Sequence, residues 1–176
     1  MKKSNSIYKM CRIAIMAAIL VAVKEALAWL PNGELVTSIV CVGTLVFGWE
    51  MLISTIIFSL IEIMLYGFGM WTVVYFYIWE ILVSAVMLFK PIFKRNRILY
   101  TILMGVYGLL FGFFSAVPQL FIGGPKMAIT WWMAGITFDL MHCAWNLVFG
   151  FLSFPVLLKI FEKSNAIVGR IDGVVE

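Results

Sequence analysis

The chain has 176 residues, 64% hydrophobic and 12% charged, with a formal net charge of +4. Its mean hydropathy of +1.05 is too high for a soluble domain of this length and leaves little room for a separate soluble unit. The composition is that of a polytopic α-helical membrane protein. The positive charge does not signal nucleic acid, because Lys and Arg sit in short tracts beside apolar segments. Cys11, Cys41 and Cys143 lack CxxC or metal-ligand spacing and read as free thiols in helices.

A helix needs about 20 apolar residues to cross the hydrocarbon, and six segments are predicted to do so. The first covers 8–30 and stops at Pro31-Asn32-Gly33. Its basic start and Ala26-Leu27-Ala28 resemble a secretory leader, but Lys24-Glu25 just before that site argues for an uncleaved helix. The second, 34–47, is short. The third, 49–66, stops at Gly67-Phe68-Gly69, and Glu50 at its start reads as solvated. The fourth, 70–89, stops at Lys90-Pro91; the fifth, 98–121, at Gly123-Gly124-Pro125; the sixth covers 138–161. Residues 122–137 carry Trp131 and Trp132 and are too short and broken to span, so an outer capping loop or re-entrant segment is expected there. The expected fold is a single-domain, all-α integral membrane bundle of six transmembrane helices.

Lys and Arg in short loops set orientation. Lys2, Lys3, Lys9 and Arg12 precede the first segment; Lys90, Lys94, Arg95 and Arg97 follow the fourth; Lys159, Lys163 and Arg170 end the chain. Six crossings place all three groups, and both termini, in the cytoplasm. The other side then carries only Lys126 in its loops.

With depth assigned this way, the ionisable residues are sided. Lys24, Glu25, Glu62, Asp139 and His142 fall in the outer half, Gln119 ends the fifth segment outside, and Glu80 lies near mid-depth. A charge at the bilayer centre costs about 2.5–3.5 kcal/mol on insertion scales, so such groups face the bundle interior or a wet cavity. A polar pocket open to the outside over a sealed apolar floor is expected, and a channel is not. Asp139, His142 and Asn146 share a helix face at i, i+3, i+7, as do Glu62 and Tyr66 at i, i+4. Trp71, Tyr75 and Trp79 form an aromatic stripe at i, i+4, i+8, with Glu80 off it. Together with Glu25, Asn32, Glu34, Gln119, Trp131 and Trp132, these residues are the candidate ligand contacts. Aromatic faces stack on flat rings and attract cations, and carboxylates accept from donors. The expected ligand is small, partly aromatic, and cationic or donor-rich. Trp71 and Trp131 also fit an interfacial belt, and Lys24 also fits a bundle-holding ion pair with Glu62 or Asp139. No metal site or cofactor is expected, since no second His or Cys pair has ligand spacing.

Small residues let helices approach closely in lipid. Ala14, Ala18, Ala22 and Ala26 repeat every four residues along the first segment, and Gly105, Gly108, Gly112 and Ala116 form a similar face on the fifth. Six helices in a chain of this length, termini on one side, the repeat Ala14-x3-Ala18-x3-Ala22, and an outward pocket beneath long outer loops resemble the substrate-binding S components of energy-coupling factor (ECF) vitamin transporters. The resemblance covers nearly the whole chain. It implies capture of a water-soluble vitamin or related micronutrient at the bacterial cytoplasmic membrane, as part of an ABC-type importer. It implies docking on an ECF transmembrane scaffold subunit, with two separate ATPase subunits supplying energy, and gives Ala14, Ala18 and Ala22 the docking role. The absence of G-x-x-x-x-G-K-[ST] fits a part that hydrolyses no ATP. The acidic pocket favours thiamin, a pyrimidine or deazapurine amine, or a cobalamin-type corrinoid over folate or a phosphorylated cofactor. Two other classes compete. A stand-alone secondary transporter would carry internal repeats with broken helices, and no convincing repeat is visible. An intramembrane enzyme lacks H-E-x-x-H or G-x-S-x-G.

Overall fold

The computed structural model describes residues 2–30 and 33–174. Among them the chain is helical throughout, with no strand: α1 (Lys2–Ala26), α2 (Val36–Phe47), α3 (Glu50–Tyr66), α4 (Met70–Leu88), α5 (Lys90–Arg95), α6 (Arg97–Leu109) and α7 (Phe111–Val174). Two stretches are long and apolar enough to cross a membrane, Met70–Leu88 and Arg97–Val168.

The centre of the molecule is α2. Every residue from Val36 to Leu45 is buried, and the helix is packed by α1, α3, α4, α5 and α7. At 12 residues it is about 18 Å long. A helix apolar on all sides belongs inside other helices, which is why a segment this short can be central. Gly48 ends it at φ +67° and lets the chain reverse into α3 within two residues.

Helices α1 and α3 run parallel, in a register marked by two ion pairs. Near one end Arg12 grips Glu50 through two hydrogen bonds of 2.8 Å, stacks over Phe47 and donates to Asn165 at 2.8 Å. Near the other, Lys24 pairs with Glu62. Glu50 is therefore clamped, not simply solvated. The inward face of α3 recurs every three to four residues, at Met51, Ser54, Thr55, Phe58, Ser59 and Glu62.

Helix α6 and the second half of α7 lie antiparallel and almost touching. A Cβ on Gly108 would fall 2.9 Å from the backbone of His142 and Cys143; on Gly105 it would fall 2.6 Å from Leu147. This glycine face is internal packing. The alanine face differs: Ala14, Ala18, Ala22 and Ala26 are all exposed, while α1 buries Met16, Ala17 and Leu20.

Three expectations need correction. Residues 122–137 are helical rather than a capping loop, broken only at Gly124 with φ +74°, ψ −173°. Pro125 fits the first turn of the helix that restarts there, since its missing N–H would have no partner. The sixth segment accordingly begins near this kink, well before 138. The first helix spans Lys2–Ala26 and not 8–30; turn bonds such as Leu30 N–H to Leu27 O carry the chain onward. Finally, the basic linker after α4 forms α5, and Asn96 then caps α6 by accepting from the N–H groups of Ile98 and Leu99 at 3.0 and 3.1 Å.

The outward faces are strongly apolar, with Ile15, Ile53, Leu60, Ile81, Ile102, Leu140 and Val156 exposed. Replacing Gly108 with Ala is expected to destabilise the protein by about 1–3 kcal/mol. Thermal melting in detergent measures this, and an unchanged midpoint would show that the helix spacing is not set there.

Candidate ligand-binding cavity

A cavity of about 770 Å³ opens at the end of the bundle where α1 and α3 finish and α2 and α4 begin. One wall is α4, whose 3.6-residue period brings Trp71, Tyr75 and Trp79 onto one face. These rings meet edge to face, with centroids 5.2 and 5.7 Å apart. Phe58 of α3 backs the stripe at 5.9 Å from both Tyr75 and Trp79. The facing wall is α7, which contributes Phe111, Gly112, Ser115 and Gln119 before the kink and Trp131, Phe138, Asp139 and His142 after it.

Polar groups sit at defined points on these walls. Asp139 Oδ1 accepts the Gly112 N–H at 2.8 Å. The carboxylate reaches that backbone because residue 112 has no side chain: a Cβ there would lie 2.3 Å from Oδ2. No cation stands within ion-pair distance of Asp139 among the described residues, but the Trp132 indole and the His142 ring stand near its carboxylate. His142 Nε2 lies 3.0 Å from Glu34 Oε1, and its ring packs 4.8 Å from Phe111. Glu34 also accepts the N–H of Thr37 at 2.8 Å and its hydroxyl. It thereby serves one of the free N–H groups of the first turn of α2. The Glu34–His142 contact ties the start of α2 to α7 across the cavity.

The Lys24 cluster borders the cavity on the α1 side. Lys24 lines it, pairs with Glu62, lies 3.4 Å from Glu25 and sits 4.5 Å above the Tyr66 ring. Tyr66 in turn donates to Glu25. Glu62 is fully buried.

Of the sequence-predicted contacts, the structure gathers Glu34, Trp71, Tyr75, Trp79, Gln119, Trp131, Asp139 and His142 around the cavity. Glu25, Glu62 and Tyr66 instead surround Lys24, outside the lining. A single ammonium needs several oxygens or ring faces once it leaves bulk water, and these three groups supply them. Asn146 is fully buried away from the lining, donating to Met104 O at 3.2 Å. Trp132 packs on Phe113 at 5.5 Å, outside the cavity. Asn32 lies outside the described residues. Glu80 is off the lining, where Thr55 donates to it at 3.4 Å.

Sequence reasoning left Lys24 open between cavity and ion pair, and the structure gives it both; it missed Phe58, Phe111, Gly112, Ser115 and Phe138. Some signal was present. Phe58 is one turn before Glu62 on the same face, and Ser115 one turn before Gln119. The place of Gly112 depends on Asp139, which is distant in the chain, and no local pattern marks it. Among the described residues no group of three His, Cys, Asp or Glu side chains stands together as a metal site.

Replacing Lys24 with Met strands the buried Glu62 carboxylate and is expected to cost about 3 kcal/mol of stability, with K24M/E62M recovering much of it. Denaturation of the single and double variants in detergent checks this; equal stability of K24M and the parent would mean that the pair contributes nothing. No family model, curated protein or solved structure matches this chain.

Proposed function

We propose that this chain is the solute-capturing membrane subunit of an ECF-type importer, crossing the bacterial cytoplasmic membrane six times with both termini inside. The crossings would be α1, α3, α4, residues 97–123 and about half of residues 125–168, with α2 returning the chain inside the bundle, sheltered from lipid and so able to be shorter than a full span. Apolar outward faces on α1, α3, α4, α6 and α7 support lipid contact, since soluble monomers rarely expose such contiguous area. The basic ends support the orientation. Lys94 pairs with Glu162 at 2.8 Å, and Arg12 reaches Asn165, so the Lys- and Arg-rich tracts gather at the end away from the cavity.

The observation that carries the capture reading is the single-ended cavity. Its aromatic and acidic lining stops above a floor in which Val40, Ile78, Leu82, Tyr100 and Met104 are fully buried. Such a floor favours holding a solute over conducting it. The volume lies in the range that encloses ligands of drug size, about 300–1,000 Å³. It favours a thiamin-like molecule or a pyrimidine or deazapurine amine, and a whole corrinoid is the poorest fit of the ligands considered. The exposed alanine face of α1 supports docking on a scaffold helix through Ala14, Ala18 and Ala22. Energy would come from the ATPase subunits of that scaffold.

Thermal-shift and calorimetric screening of purified protein against water-soluble vitamins tests capture. Stabilisation by thiamin or an amino heterocycle is expected; preference for folate or biotin would overturn the assignment of ligand class. Substituting Ala18 with Trp is expected to leave affinity within about twofold, because the side chain points away from the cavity, and to abolish cellular uptake by obstructing docking. Loss of binding in the same variant would count against a docking role for this face.

A further inference from the structure

The elbow between α4 and α6, at the end away from the cavity, is strongly basic. Lys90, Lys94, Arg95 and Arg97 fall within eight residues that contain no Asp or Glu. Lys94 is neutralised by Glu162 of α7 at 2.8 Å. Arg97 is held against α7, with its guanidinium 3.6 Å over the Phe151 ring and a hydrogen bond donated to that residue's carbonyl. Lys90 and Arg95 have no carboxylate within ion-pair distance among the described residues. Partial burial, and then the charge of Lys94 one turn on, hold the Lys90 amine below its usual pKa. Lys159 and Lys163 of α7, exposed before and after Glu162, add to the positive excess.

Apolar side chains are interleaved with these cations. Phe93 is buried and pins α5 to the bundle, but Leu88, Ile92 and Ile98 stand 74%, 48% and 64% exposed. A merely hydrated turn gains nothing from such residues. Exposed aliphatic groups beside uncompensated cations match the lipid boundary, where acyl chains cover the one and phosphates meet the other. Lysine and arginine stems are long enough to reach headgroups from that depth. We propose that this elbow is a binding site for an acidic phospholipid: Lys90 and Arg95 take the headgroup phosphate, and Leu88, Ile92 and Ile98 meet the acyl chains. A headgroup of net negative charge is required, because in phosphatidylcholine the lipid's own ammonium already offsets its phosphate. A water-soluble phosphate would satisfy the cations and leave the apolar residues bare. Such binding needs a chain embedded in lipid and is independent of what the cavity holds.

Melting of the full-length protein in a neutral detergent tests this, with phosphatidylglycerol and phosphatidylcholine of the same acyl chains as the probes. Phosphatidylglycerol is expected to raise the midpoint and phosphatidylcholine is not, with the difference fading as salt rises from about 0.05 to about 0.5 M. Lys90→Gln and Arg95→Gln should each raise the phosphatidylglycerol concentration for the half-maximal shift about fivefold, the factor that one basic residue near an anionic surface contributes. Lys126→Gln, which removes one charge at the opposite end, should leave it unchanged. Arg95 is exposed, so its variant keeps the test open if Lys90→Gln fails to fold. Equal shifts by the two lipids, an equal shift by glycerol phosphate, or equal losses in the Lys126 and elbow variants overturn the inference. So does a full shift in both elbow variants. Flotation of the parent with phosphatidylcholine vesicles after an alkaline wash checks the membrane reading separately. Protein retained there without a lipid preference sinks the site alone, and protein released sinks both.

Discussion

The near-contact of two backbones, Gly105 to Gly112 against the arm from Asp139 to Gly150, is the constraint on which the cavity depends. At Gly108 the space that a Cβ would occupy is already taken by the backbone of His142 and Cys143. Four residues on, the same lack of side chains lets the Asp139 carboxylate reach a backbone N–H at Gly112. The approach thus fixes the height and rotation of the segment that carries Asp139 and His142. With a larger residue at either position the two helices would separate, and both polar groups would move out of register with the aromatic wall on α4. Close packing of this kind also replaces the hydrophobic driving force that helices lack among lipid tails.

Two ion pairs tie the bundle near its two ends. Arg12–Glu50 and Lys24–Glu62 join the same two helices, and the 12 residues between the pairs on each helix correspond to about 18 Å of rise. Between them the bundle holds the apolar residues around α2. Removing two charges from water is expensive unless they are paired, and mispairing leaves a charge stranded. The two pairs therefore act more as a register mark for α1 against α3 than as a source of net stability. Asp139 departs from this pattern: it accepts a backbone N–H from Gly112, and the Trp132 indole and His142 ring stand near it in place of a Lys or Arg.

The kink at Gly124 shows how a local signal was read correctly as a break and wrongly as a loop. Gly123-Gly124-Pro125 does interrupt the helix, but the interruption occupies one residue. Proline is well placed at the first turn of the next helix, so a Gly-Pro pair stops one helix and starts another without any connecting segment. Lys126 to Thr137 then follow as helix because their side chains are compatible with it. The alanine and glycine faces illustrate the same ambiguity. Each is a row of small residues at helical spacing, yet the glycine row is filled by a neighbouring helix and the alanine row faces outward.

Helicity, the apolar exterior, the basic tracts and the aromatic stripe at Trp71, Tyr75 and Trp79 were all legible in the chain itself. They depend on composition and on the 3.6-residue period, which act over one or two turns. Which carboxylate would meet a cation and which a backbone N–H was decided only in the folded bundle. Glu25, Glu34, Glu62 and Asp139 are chemically alike in the sequence, and their partners are not adjacent residues. Asp139 meets a backbone N–H 27 positions away, and Glu34 meets a histidine 108 positions away. Such distances close only when helices pack, because electrostatic and hydrogen-bond energies depend on separation in space and not along the chain.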